Sequence, residues 1–150
     1  MKKVIIYTDG GCWGNPGPGA WAALLEYNGI KKLISGFEKE TTNNRMELKA
    51  VIEGLKVLKY PVEVEVYTDS KYIYNGINEW IKTWIKNNWK TSNKKEVKNK
   101  DLWEELLKLV EKHKVKWFWV KGHNNIEGNE ICDKEVQKVI KENIKSIKEK

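Results

Sequence analysis

Arginine is nearly missing from this sequence: Arg45 is the only one in a chain with a net charge of +7. Reading of base edges by the guanidinium fork is therefore almost excluded. Lysine supplies the rest of the positive charge, and a point charge suits phosphates without regard to base sequence. Cysteine is scarce as well. Cys12 and Cys132 lie far apart, in neither a CxxC nor a zinc-finger spacing. A disulfide between them stays open, but both read as reduced, buried, structural thiols. No apolar run reaches the length of a membrane span, so no membrane partner is expected. The start, Met1-Lys2-Lys3-Val4, is too short ahead of Asp9 to read as a secretory signal, and a cytoplasmic location is expected.

What is present fits one α/β domain over residues 1–150, with 40% hydrophobic residues and a tail at about 144–150 expected to be disordered. One phrase occurs twice, Tyr7-Thr8-Asp9-Gly10 and Tyr67-Thr68-Asp69-Ser70, each time closing a β-like run. The pattern predicts strands at 3–9, 20–27, 31–38, 62–68 and 115–120, with a loop from Gly10 to Gly19. Asn28-Gly29 between apolar runs signals a hairpin. Leu48, Val51, Ile52, Leu55 and Leu58 follow helical spacing within 44–59. Further helices are expected at 71–76, 79–88 (Trp80, Ile81, Trp84 and Ile85 on one side), 101–112 and from near Asn129 onward. The segment between strands 3–9 and 62–68 suits a crossover that returns the second strand parallel to the first. Asp9 and Asp69 then end neighbouring strands and can share a divalent cation.

Two more acids stand in comparable places. Glu47 falls in the first turn of its helix and Asp133 in the first turn of the last, with Glu130 nearby. Each has a plainer reading. Glu47 has the spacing to close a capping box with Asn44, and Asp133 suits a helix dipole. Asp9 and Asp69 suit turn initiation before Gly10 and Ser70. All four together on a parallel crossover weaken those readings. An oxygen-only cluster suits Mg²⁺ or Mn²⁺, not zinc.

The sequence resembles the type 1 ribonucleases H across nearly its whole length. The matching segments are Tyr-Thr-Asp-Gly-Gly-Cys at 7–12, Gly-Asn-Pro-Gly-Pro-Gly at 14–19 and Thr-Asn-Asn-Arg-Met-Glu-Leu at 42–48. They continue with Thr-Asp-Ser at 68–70, Trp-Lys-Thr at 89–91, Val-Lys-Gly-His at 120–123 and Asn-Glu-Ile-Cys-Asp at 129–133. The resemblance implies a ribonuclease H-like fold, a five-stranded mixed sheet flanked by helices. It implies a monomeric endonuclease that cuts the RNA strand of RNA–DNA hybrids, leaving 5′-phosphate and 3′-hydroxyl ends. The catalytic carboxylates would be Asp9, Glu47, Asp69 and Asp133, holding two Mg²⁺ ions for which Mn²⁺ substitutes. Asp9 would bridge both ions, Asp133 would help hold the water-activating one, and Glu47 and Asp69 the other. Glu130 would not be a ligand.

His113, in a lysine-rich helix end, reads as a solvated charge. His123 follows a strand end, and the resemblance gives it an auxiliary part in proton movement or product release. Asn125 replaces a glycine common two residues after that histidine. Lys86, Lys90, Lys94, Lys95, Lys98 and Lys100 face one acid, Glu96, with Trp80, Trp84 and Trp89 leading in. This is the footprint of a nucleic-acid groove, although core packing is the better reading for Trp84. The resemblance assigns the lysines to gripping the DNA strand, with Trp80 lining the channel. It assigns Asn15, Asn43 and Asn44, with backbone at Gly10 and Gly11, to sensing 2′-hydroxyls, and Thr42 to a DNA phosphate. The lysine- and glutamate-rich stretch from Lys134 reads as a solvated helix face. Two other classes stay open: a binding module without catalysis, and a DNA-cutting relative of the same superfamily.

Overall fold

The computed structural model describes residues 2–121 and 126–148. Strands β1 (Lys3–Cys12), β2 (Gly17–Tyr27) and β3 (Ile30–Thr41) form an antiparallel meander. Helix α1 (Asn43–Lys56) then crosses over to β4 (Glu63–Thr68), which pairs parallel to β1. Helix α2 (Lys71–Asn75), a π-helical turn (Gly76–Trp80) and α3 (Ile81–Lys86) follow one another directly. Helix α4 (Lys100–Glu111), strand β5 (Lys114–Trp119) and helix α5 (Glu127–Lys148) complete the chain. The sheet order is β3-β2-β1-β4-β5, with β5 parallel to β4.

Two apolar layers sandwich this sheet. On one side Val4, Ile6, Val64 and Val66 pack against Leu48, Val51, Ile52 and Leu55 of α1 and Trp103 and Leu106 of α4. On the other, Ala20, Ala22 and Leu24 of β2 pack against Cys132, Val136 and Ile140 of α5. Strand alternation sorts these sets: in β4, Val64, Val66 and Thr68 are buried while Glu63, Glu65 and Tyr67 are partly open. Tyr7, Tyr67 and Phe118 stand at matched positions on the three parallel strands, with ring centroids 5.4 and 4.9 Å apart. No helix is long and apolar enough to cross a membrane among the described residues.

Several expectations are corrected. The loop expected from Gly10 to Gly19 is mostly strand: Gly11 pairs with Ala20 and Cys12 with Gly19, leaving only residues 13–16 between the strands. A β-carbon at Gly19 would overlap the Gly11 carbonyl and Thr41, so the glycine permits the pairing that its turn-like context hides. In the helix expected at 79–88, Ile81 is buried but Ile85 is 53% exposed. Trp84, instead, packs with Trp80, Trp89 and Trp103. The stretch after Lys134 is not only a solvated face: Val136 and Ile140 are fully buried, on the same helical face as Cys132. Helix α5 runs from Glu127 through Lys148. Both cysteines are free, as expected, but Cys12 is only half-buried.

His113 is not a solvated charge either. Its Nδ1 accepts a hydrogen bond from the Val62 backbone N–H at 3.2 Å, which requires the neutral ring. Burial first, and Lys112 second, lower its pKa from 6.5. The unfolded chain therefore binds this proton at higher pH than the folded one, and stability is lost as pH falls below about 6.5. His113→Asn retains an acceptor at the same place and cannot titrate there. Urea unfolding at about pH 5 and about pH 7.5 should show a smaller loss for the variant than for the parent; equal losses would refute the assignment.

Candidate active site

The β1–β4 ladder sets the site. Lys3 faces Glu63 and Tyr7 faces Tyr67, so the same register carried two residues further brings Asp9 opposite Asp69. The strand ends are clamped just before the two acids. Asn129 Nδ2 on α5 donates to the Thr8 and Tyr67 carbonyls, 3.1 Å each. The Cys132 thiol donates to the Tyr7 carbonyl at 3.3 Å. The Trp119 indole N–H donates to the Asp69 carbonyl at 3.2 Å, and the Lys71 ammonium lies 4.9 Å from the Trp119 ring centroid.

Glu47 arrives from α1. Its Oε1 accepts from the Gly10 N–H at 2.8 Å. A side chain at residue 10 would overlap the Met46 carbonyl and the Glu47 nitrogen, so glycine lets the helix backbone meet the strand here. The capping box between Asn44 and Glu47 does not form. Thr42 is the N-cap, accepting from Arg45 N at 3.3 Å, and α1 begins early enough to put Glu47 in its second turn. Asp133 likewise falls in the second turn of α5, because that helix begins at Glu127. It interacts directly with the Asp9 carboxyl.

One oxygen each from Asp9, Glu47 and Asp69 lie within 4.8 Å of one another. Asp9 is 9% exposed and Glu47 7%. Burial, then the charges of Asp69 and Asp133, push the Asp9 carboxyl up to about 8. Burial, then Asp9 and Asp69, hold Glu47 well above its ordinary value of 4.5. Among the described residues, Glu47 Oε2 is buried with no hydrogen-bond donor. Carboxylates so placed repel unless a proton or a cation lies between them. An all-oxygen donor set with one buried, unpartnered oxygen fits a hard divalent ion of the Mg²⁺ type.

The amide side chains gather beside these acids. Asn43 Oδ1 accepts from Cys12 N at 2.8 Å, and Asn15 Oδ1 accepts from Asn43 N at 3.2 Å. With those carbonyl ends committed, each amide has its NH₂ group to offer a ligand. Asn44 is exposed beside them, and Gly11 lies against both Asn43 and Val136 of α5. Lys86, Lys90, Lys94, Lys95 and Lys98 are all exposed, and none of them makes an ion pair among the described residues. Their segment is a folded turn, with Thr91 N donating to Lys95 O at 2.7 Å and Val97 N to Trp89 O at 2.9 Å. Trp80 sits at its base, partly exposed, against Tyr72 and Trp84. His123 and Asn125 lie outside the described residues.

Four side chains near the site carry no role that the sequence alone suggests: Asn129, Trp119, Arg45 and Trp13. Asn129 lies in one of the matching segments, but its bond to two strands depends on pairing between residues far apart in sequence. Trp13 is 44% exposed in the β1–β2 loop, its indole N–H donating to Gln137 of α5 at 3.0 Å.

A family model described as RNase H matches residues 1–141. A ribonuclease H of Caldicellulosiruptor saccharolyticus is 62% identical over 95% of this chain and 99% of its own length. One from Francisella philomiragia is 59% identical, covering 94% and 93%. Among solved structures, LC9-RNase H1, described as a type 1 RNase H with the type 2 active-site motif, superposes with a TM-score of 0.84 at 32% identity, over 93% of this chain and 72% of that one. LC11-RNase H1 in complex with an RNA/DNA hybrid does so with a TM-score of 0.71 at 25% identity, covering 94% and 99%.

The acids carry a pH signature. With cations chelated, the folded chain holds the Asp9 proton far more tightly than the unfolded one, so stability declines as pH rises from the carboxylate range through about 8. Asp9→Asn should raise the stability of the cation-free protein near neutral pH by about 1–2 kcal/mol and flatten that decline. Denaturant titrations with a chelator at about pH 6 and about pH 9 measure both effects. A less stable variant with an unchanged slope would show that the repulsion is absent.

Proposed function

We propose, since this chain belongs to the ribonuclease H family, that it cuts the RNA strand of RNA–DNA hybrids as a Mg²⁺-dependent endonuclease with little sequence preference. The observation that carries this reading is the cluster of Asp9, Glu47 and Asp69 oxygens, with Glu47 Oε2 buried and unpartnered among the described residues and Asp133 acting on Asp9.

Asp9, Glu47, Asp69 and Asp133 would hold two Mg²⁺ ions, with Mn²⁺ able to substitute. Such ions supply, when bound, an activated water and charge neutralisation for in-line displacement at a phosphate, leaving 5′-phosphate and 3′-hydroxyl ends. The chain's own groups do the rest. Gly10 N–H and the α1 backbone hold Glu47 in place before any ligand arrives. Asn129 and Trp119 fix the strand ends beneath Asp9 and Asp69. Asn15, Asn43 and Asn44 offer amide donors suited to 2′-hydroxyls and groove edges, which distinguish RNA from DNA. Thr42 keeps its hydroxyl proton free to donate to a phosphate, because its oxygen is the acceptor in the helix cap. The five exposed lysines add charge for the opposite strand. His123 is assigned an auxiliary role in proton movement or product release. One chain carries all of these groups, which supports a monomer as the active unit.

A labelled hybrid incubated with and without Mg²⁺ tests this directly. RNA-strand cutting that needs the ion, with DNA duplex left intact, is the expected result. Tight binding without metal-dependent cutting would favour a binding module instead, and equal cutting of duplex DNA a DNA nuclease. Asp9→Asn should nearly abolish cutting while leaving hybrid affinity within a few-fold, because lysines and amides carry the affinity. Replacing Lys86, Lys90, Lys94, Lys95 and Lys98 by glutamine should weaken binding and flatten its dependence on salt, by about 0.9 in log–log slope for each phosphate left without its lysine. An unchanged slope would mean that this segment does not touch the substrate.

A further inference from the structure

We propose that Arg45 is a positioning residue that holds the carboxylate and amide site at a fixed distance and angle from the basic segment, so that both strands of a duplex are gripped together. The inference rests on the functional reading above and adds a residue to it. Arg45 lies on α1 between Asn43 and Glu47. Its guanidinium reaches to the end of the basic segment. Nη1 donates to Asn99 Oδ1 at 3.2 Å and to Asp101 Oδ1 at 3.0 Å, and Nη2 to Asp101 Oδ2 at 2.8 Å.

Asn99 is the hinge between the lysines and α4. It adopts a left-handed φ of 62°, and its carbonyl accepts from Trp103 N at 3.0 Å. Its side-chain NH₂ donates to Tyr72 Oη at 3.1 Å, which also accepts from the Trp103 indole N–H at 2.8 Å. The Tyr72 ring lies 5.9 Å from that of Trp80. Continuous contacts thus run from the first two turns of α1, which bear Asn43, Asn44 and Glu47, to Trp80 and the root of the lysine turn.

Composition adds a second observation. Every other basic residue in the chain, histidine aside, is lysine, and the single arginine stands at this joint. Its side chain is 33% exposed and that of Asp101 64%, a setting in which an ion pair contributes little to stability. A two-pronged pair nonetheless fixes orientation as well as distance, which an ammonium does not. Two binding regions that meet one duplex behave as linked sites, and a rigid joint raises the effective concentration of the second once the first is engaged.

A double-mutant cycle tests this with the full chain and Mg²⁺. Arg45→Lys keeps the charge and removes the fork. In the parent background it should raise KM for a labelled hybrid about tenfold with kcat within about twofold. In the variant with Lys86, Lys90, Lys94, Lys95 and Lys98 replaced by glutamine, the same change should alter KM less than about twofold, because the second region no longer grips the duplex. Asp101→Asn should show the same background dependence, more weakly. Equal KM effects in both backgrounds, or a fall in kcat with KM unchanged, would overturn the positioning role. Failure of the parent chain to cut the hybrid would overturn the functional reading, and this inference with it.

Discussion

Carboxylates held together out of water are the constraint that the rest of the structure answers. Asp9 and Glu47 are nearly buried, and burial and neighbouring carboxylates act on them most strongly. Keeping them there demands rigid support from several directions. The parallel ladder supplies Asp9 and Asp69, α1 supplies Glu47 through the Gly10 contact, and α5 supplies Asp133 together with the Asn129 clamp. The protein thereby stores an electrostatic cost that a divalent ion removes on binding. The site is prepared for its ligand by being unfavourable without one.

Around that centre, the polar groups are divided by chemistry and by place. The amides stand on a stiff base, the β1 end and the first turn of α1, with their oxygens tied into the backbone. The lysines stand on a turn braced by Val97 and the aromatic cluster of Trp80, Trp84, Trp89 and Trp103. Short-range hydrogen-bonding groups thus sit beside the clustered acids, and long-range charge sits away from them.

Much of this is legible in the chain. The repeated Tyr-Thr-Asp phrase, the apolar spacing of Leu48 to Leu55 and the need for a crossover together point to two neighbouring parallel strands ending in acids. What stays hidden depends on distant partners. Gly-rich residues 10–12 and 17–19 read as loop because local preference favours a turn, whereas pairing across the hairpin makes them strand. Val136 and Ile140 sit among lysines and glutamates, and only the opposing face of β2 shows that they are core. His113 accepts from a backbone group on another segment, and Thr42 takes the cap that spacing offers to Asn44. Local chemistry gives no sign of either.

The order of the acids along the chain has a consequence for synthesis. Asp9, Glu47 and Asp69 belong to the first half, but Asp133 and the Asn129 clamp arrive with the last helix. A growing chain on the ribosome can pair its first four strands before α5 has emerged. Until that helix docks, the strand ends are unclamped and the fourth carboxylate is missing. The acidic cluster is therefore completed last, so a nascent chain that stops short of α5 lacks both Asp133 and the clamp on the strand ends.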